Sequence, residues 1–188
     1  NAILLPFLVY ALAGLGLNIL TGYCEQVSLG TGAFMAVGAY ASFKLVGFFP
    51  ELNYLIVLVL SGFITAGVGM IFGLPSLRIK GFYLAVATLA AQFFLVWMFN
   101  KVGWFYDHSP TGMITVRPIE FLGTLVTGPQ ADSAAKYLFT LSIVVVLAVR
   151  TKNIVRGRIG RSWMRIRDMD IAAELIGIKP LAAKPSAF

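Results

Sequence analysis

The residues best suited to chemistry form one basic, amphipathic stretch, and the chemistry they suit is docking rather than bond-making. Arg161, Arg165 and Arg167 lie along Arg161-Ser162-Trp163-Met164-Arg165-Ile166-Arg167 with bases at helical spacing, and Asp168 follows. Asp170 and Glu174 are four residues apart and so share a helix face. Ile171, Leu175 and Ile178 follow helical apolar periodicity, with Ala173 among them, and Gly177 suits a C-terminal cap. A short helix with one apolar face and charged flanks fits the surface of an anionic membrane.

A second group is small and weakly polar. Ser28, Gly32 and Ala36 recur every four residues, thickened by Gly30, Ala33 and Gly38, with Thr31 and Tyr40 in the same run. Further on, Gly69 and Gly73 form a GxxxG pair, with Gly62 and Gly67 nearby. Small residues let helix backbones approach closely. Plain packing within a bundle accounts for them. So does a thin helix beside a solute path, interrupted near Gly30-Thr31-Gly32, with Ser28, Gly30, Thr31, Gly32, Gly38 and Tyr40 lining it.

Bond-making chemistry has no such foothold. No GxxxxGK[ST] phosphate loop, HExxH, CxxC, GxSxG or paired-histidine motif occurs. The single histidine, His108, stands beside Asp107 in a polar loop, and the single cysteine, Cys24, rules out an intrachain disulfide and has no metal-ligand spacing around it. No catalytic residue, metal site or cofactor is expected. Energy for any transport must come from another polypeptide.

The elements that position these residues follow from composition. Of 188 residues, 59% are apolar and only 12% charged, half the charge a soluble domain usually carries. The expected fold is all-α, a polytopic bundle of transmembrane helices. Roughly 20 apolar residues cross a bilayer, and five stretches approach that: about 2–20, 27–43, 52–74, 81–99 and 134–149. Pro75 suits the end of the third. Lys136 intrudes on the fifth, and snorkelling to the interface accommodates it. A loop over 100–133 carries turn signals at Ser109-Pro110-Thr111-Gly112 and Gly128-Pro129, and Trp104-Phe105-Tyr106 fits an interfacial anchor.

Charge sets the direction. The net charge is +7, but nine of the fifteen basic residues lie between Arg150 and Lys184, and none lies in the first 43 residues. No basic face with interleaved aromatics suited to nucleic acid is present. Basic loops stay in the cytoplasm, so 151–188 is expected inside, as are Arg78 and Lys80, with 100–133 outside. No charged residue sits at the centre of a confident span, which speaks against an ion-coupled carrier. The apolar run at the first residue and the stop after a basic stretch suggest a piece of a larger protein.

Several words in order along the chain resemble the branched-chain amino acid permease family of ABC transporters. They are Gly16-Leu17-Asn18-Ile19-Leu20-Thr21-Gly22-Tyr23, Val27-Ser28-Leu29-Gly30, Ala33-Phe34-Met35 with Gly38-Ala39-Tyr40, Gly73-Leu74-Pro75-Ser76-Leu77-Arg78, Gly81-Phe82-Tyr83-Leu84-Ala85 and Thr88-Leu89. The resemblance is strongest at Gly160-Arg161, Ile166 through Glu174 and Ile176-Gly177-Ile178.

This resemblance implies that the basic stretch (Arg161, Arg165, Arg167, Asp168, Asp170, Ala173, Glu174 and Gly177) is a cytoplasmic coupling segment that docks on an ABC ATPase subunit. It also implies a second permease subunit, an external solute-binding protein, a bacterial inner membrane, and further helices before and after this chain. Glu25 and Thr31 depart from the family pattern near the expected path, and urea and amide importers use similar permeases. The leading expectation is a non-enzymatic permease subunit of an ATP-driven importer of branched-chain amino acids. The alternative is a stand-alone channel or facilitator for a small polar solute such as urea or an amide, which would not require the coupling segment.

Overall fold

The computed structural model describes residues 3–24, 27–76, 82–105, 114, 116, 118–121, 124–126, 128 and 132–168. Helix α1 (Leu4–Asn18) runs directly into a π-helical turn, Ile19–Tyr23. Residues 27–30 are irregular, and α2 (Thr31–Phe48), α3 (Tyr54–Ser76) and α4 (Phe82–Lys101) follow. A hairpin of two-residue strands, β1 (Glu120–Phe121) and β2 (Thr124–Leu125), precedes α5 (Ser133–Arg156) and α6 (Arg158–Asp168).

A helix rises about 1.5 Å per residue, so about 20 residues match a hydrocarbon core of about 30 Å. Leu4–Tyr23, Thr31–Phe48, Tyr54–Gly73 and Ser133–Arg156 are long and apolar enough to cross a membrane, and Ala85–Lys101 is a shorter apolar helix. Their outward faces remain apolar: Phe63 is 72% exposed, and Phe93 and Ile71 are 68% exposed. An apolar surface on that scale needs lipid or protein against it. The molecule is an all-helical, multi-pass membrane bundle whose only described strands form the small hairpin.

The helix limits differ from those expected at several ends. The first helical run continues to Tyr23 through its π-turn. The second begins at Thr31 rather than 27, because residues 27–30 leave the helix, and it continues past Lys44 to Phe48. The third ends one residue past Pro75. The fifth extends to Arg156 and carries Arg150 and Lys152 on its last turns, side chains that favour helix about as well as apolar ones. At its start the Asp132 carboxylate accepts the Ala134 N–H at 3.3 Å, an N-cap. The Lys136 ammonium donates to the Gly128 carbonyl at 2.6 Å, so the intruding charge is satisfied by the preceding loop.

Helix α2 is central. It packs most extensively on α3 and also contacts α4, while α1 lies mainly against α5. Ala33, Val37, Leu95 and Phe99 form the buried core between α2 and α4, flanked by Phe34, Val68, Phe72 and Phe105. Gly69 and Gly73 are buried. Gly62 and Gly67 have open space where a Cβ would stand, so close helix approach does not depend on them.

Candidate functional site

The irregular segment before α2 is held by one buried hydroxyl. The Leu29 N–H donates to Thr88 Oγ1 at 3.0 Å, and the Thr88 hydroxyl donates to the Ala85 carbonyl at 2.9 Å. Thr88 is 1% exposed. A backbone N–H outside a helix cannot go unsatisfied in an apolar setting, and here a side chain of α4 supplies the acceptor. Gly30 lies against the same residue. A Cβ on Gly30 would stand 3.0 Å from the Thr88 carbonyl oxygen and 3.1 Å from the Phe34 ring, so glycine permits this approach. At the start of α2 the Gly30 carbonyl accepts the Ala33 and Phe34 N–H groups at 3.0 and 3.2 Å.

Two cavities adjoin α2 on its α1 and α3 side. The inner one, about 710 Å³, is lined by Leu17, Leu20, Ser28, Thr31, Ser61 and Thr65 among others. The outer one, about 620 Å³, lies among α1, α2, α3 and α5 and includes Val126, Gly128 and Lys136. Val9, Leu12, Ala39, Ser42, Tyr54 and Leu58 line both, so the two cavities share a boundary, or waist, at these residues. The Tyr54 and Ser42 hydroxyls lie near each other there. Two of the hydroxyls along the inner cavity are tied to their own helix: Thr65 donates to the Ser61 carbonyl at 2.8 Å and Ser61 to the Leu58 carbonyl at 2.9 Å. Among the described residues, none that lines the inner cavity is charged. Such a space offers a largely apolar wall with a few hydroxyl contacts.

The six path candidates separate. Ser28, Thr31 and Gly38 line the inner cavity. Gly38 meets α3 closely, a Cβ there standing 3.2 Å from Thr65 Oγ1. Gly30 faces Thr88 instead, and a Cβ on Gly32 would approach Gln92 at 3.9 Å. Tyr40 points to the opposite side of α2, stacked on Phe99 with ring centroids 4.4 Å apart. Sequence reasoning assigned no role to Thr88, Ser42, Tyr54 or Thr65. Ser42, Tyr54 and Thr65 carried only the signal of a hydroxyl within an apolar run, while Thr88 stood in one of the words that resemble the family.

Of the docking candidates, Arg161 is exposed on α6, and Arg165, Arg167 and Asp168 belong to the same helix. Asp170, Ala173, Glu174 and Gly177 lie outside the described residues. Trp163 is buried at 4% exposure, and α6 contacts both α5 and the π-turn. The π-turn residues Ile19 and Leu20 line the inner cavity as well. The basic helix therefore touches the element that forms one wall of the cavity.

Comparison with known proteins agrees with this architecture. The family model described as branched-chain amino acid transport system / permease component matches residues 1–188. High-affinity branched-chain amino acid transport system permease protein LivM of Salmonella typhimurium is 29% identical over 201 residues, covering 96% of this chain and 47% of that protein. LivM of Escherichia coli matches with the same identity and coverage. The chain thus spans about half the length of these curated relatives. No solved structure matches significantly. With a multi-pass bundle and a match that runs from the first residue to the last, the chain belongs to the family of permease components of branched-chain amino acid transport systems.

Proposed function

We propose that the chain is part of the membrane-spanning permease subunit of an ATP-driven importer of branched-chain amino acids, in a bacterial inner membrane. The observation that supports the reading is the pair of cavities beside α2, adjacent and sharing Ala39, Ser42 and Tyr54 in their walls. In this reading they form one side of the solute route, completed by the rest of the permease and a second permease subunit. An external solute-binding protein delivers the amino acid. Residues 151–188 face the cytoplasm and 100–133 the outside. The segment holding Arg161, Arg165, Arg167, Asp168, Asp170, Ala173, Glu174 and Gly177 docks on an ATPase subunit.

Ala39 is exposed at the waist, so a large side chain there fills the route without entering the packed core. The test uses the full-length subunit with its partner permease, ATPases and binding protein in proteoliposomes. Labelled leucine uptake should require ATP, and Ala39→Trp should abolish it while the complex still assembles. Glu174→Lys should instead weaken co-purification with the ATPase. Leucine or urea entry at equal rates with and without ATP would move the assignment to a stand-alone facilitator.

A further inference from the structure

One face of α5 walls the outer cavity: Lys136, Phe139, Thr140, Ile143 and Val144 follow one another there at helical spacing. Lys136 stands at the start of that face, nearest the loop, and the others are uncharged. Its ammonium is half-buried and donates one of its N–H groups to the Gly128 carbonyl at 2.6 Å, out of the three that an ammonium carries. Gly128 is held tightly in its turn, with φ at +100° and a would-be Cβ 3.3 Å from Pro118 Cβ. We propose that Lys136 is a specificity-determining residue, whose ammonium receives the carboxylate of the amino acid as it enters the outer cavity.

Three observations favour that role. The first is charge. A carbonyl is a dipole and not an anion, so the bond to Gly128 orients the ammonium without cancelling its charge. Beside an apolar wall that charge attracts an anion more strongly than it would in water. The second is the neighbourhood. Phe43, Val46 and Phe139 give the same cavity an apolar wall, and Ser42, Tyr54 and Thr140 give it hydroxyls. An amino acid with an aliphatic side chain brings an anion for the lysine and an apolar group for that wall. Urea or a short amide brings no anion and forgoes the stronger, charge-assisted hydrogen bond. The third is order along the route. Lys136 lines the cavity together with the loop residues Val126 and Gly128, whereas Ala39 and Leu58 are shared with the inner cavity. With 100–133 outside, a solute meets the lysine before the waist. The inference rests on the proposed import of an amino acid through these cavities.

The probes are isocaproate, which is leucine without its amino group, and isocaproamide, its neutral counterpart. Each is titrated by saturation-transfer NMR into the assembled full-length transporter without binding protein, in phosphatidylcholine nanodiscs, with empty nanodiscs as the blank. The native protein should bind isocaproate more tightly. Lys136→Gln should weaken isocaproate binding about tenfold, the equivalent of about 1.4 kcal/mol, and leave isocaproamide unchanged. Lys136→Arg keeps the charge and should keep the preference. Equal affinities in the native protein, or a preference that survives in Lys136→Gln, would overturn the proposal. A second measurement needs no variant: reductive methylation of Lys136 in the native transporter, read by mass spectrometry, should be slowed by isocaproate and not by isocaproamide. Equal rates with both, or a lysine inert to the reagent without either, would overturn it as well. ATP-dependent leucine uptake by the same protein in proteoliposomes reports separately on import. Native uptake with unaltered isocaproate affinity in Lys136→Gln would leave import standing and remove the lysine from it.

Discussion

At the scale of single residues, Thr88 does the most with the least sequence signal. Its hydroxyl accepts from Leu29 and donates to Ala85, joining the irregular segment to α4. Thr88→Val keeps the volume and removes the acceptor, leaving the Leu29 N–H without its bond. The expected loss is about 1–3 kcal/mol, the cost of an unsatisfied buried donor. Thr88→Ser retains the hydroxyl and should recover most of it. Thermal unfolding of the full-length subunit in detergent measures both, and equal midpoints for Val and Ser would remove the assigned role. Ser28 and Gly30 were legible as small residues at a suspected break. Their partner, fifty-nine residues from Leu29, was not, because a mid-helix threonine looks the same in sequence whether it bonds only its own turn or another segment too.

At the scale of elements, the π-turn Ile19–Tyr23 joins the two regions of interest. It forms part of the inner cavity wall and contacts α6. A π-turn is one residue longer than the α-helical turn it replaces and is frequent at functional sites. Deleting one residue from it restores a regular helix without changing the register on either side. Deleting Thr21, which is exposed and whose hydroxyl donates to the Leu17 carbonyl, should therefore leave the full-length subunit folded while weakening leucine uptake. Deleting Val59 from α3 should prevent assembly, because it rotates every following residue by about 100° and breaks the α2–α3 contact. Gel-filtration profiles alongside uptake distinguish the two, and equal damage from both deletions would argue against a distinct role for the turn. The length of the apolar runs marked these helices but not the π-turn, since one extra residue in an all-apolar run leaves no mark in composition.

At the scale of the whole molecule, the direction of insertion follows from charge. Residues at one end of the bundle include Phe48, Tyr54, Lys101 and the start of α5; the other end holds the π-turn, the start of α4 and α6. The second end joins α6 with the basic last turns of α5, so it should be cytoplasmic. A reporter fused after Asp107 should read external and one after Arg161 internal; the opposite pattern would invert the assignment. The exposed apolar side chains of this chain need lipid or protein against them.

Composition and charge determined the class of this protein, because a chain with 59% apolar and 12% charged residues has no arrangement that leaves it stable in water. The order of motif words was enough to suggest the family. Tertiary structure decided which small residues share a cavity. Gly38 and Tyr40 are two apart on α2, and a helix advances about 100° per residue, so Gly38 meets the cavity and Thr65 while Tyr40 stacks on Phe99 across the helix. Which face met α3 and which met α4 depended on packing against distant segments. In an all-apolar helix no amphipathic stripe announces that choice.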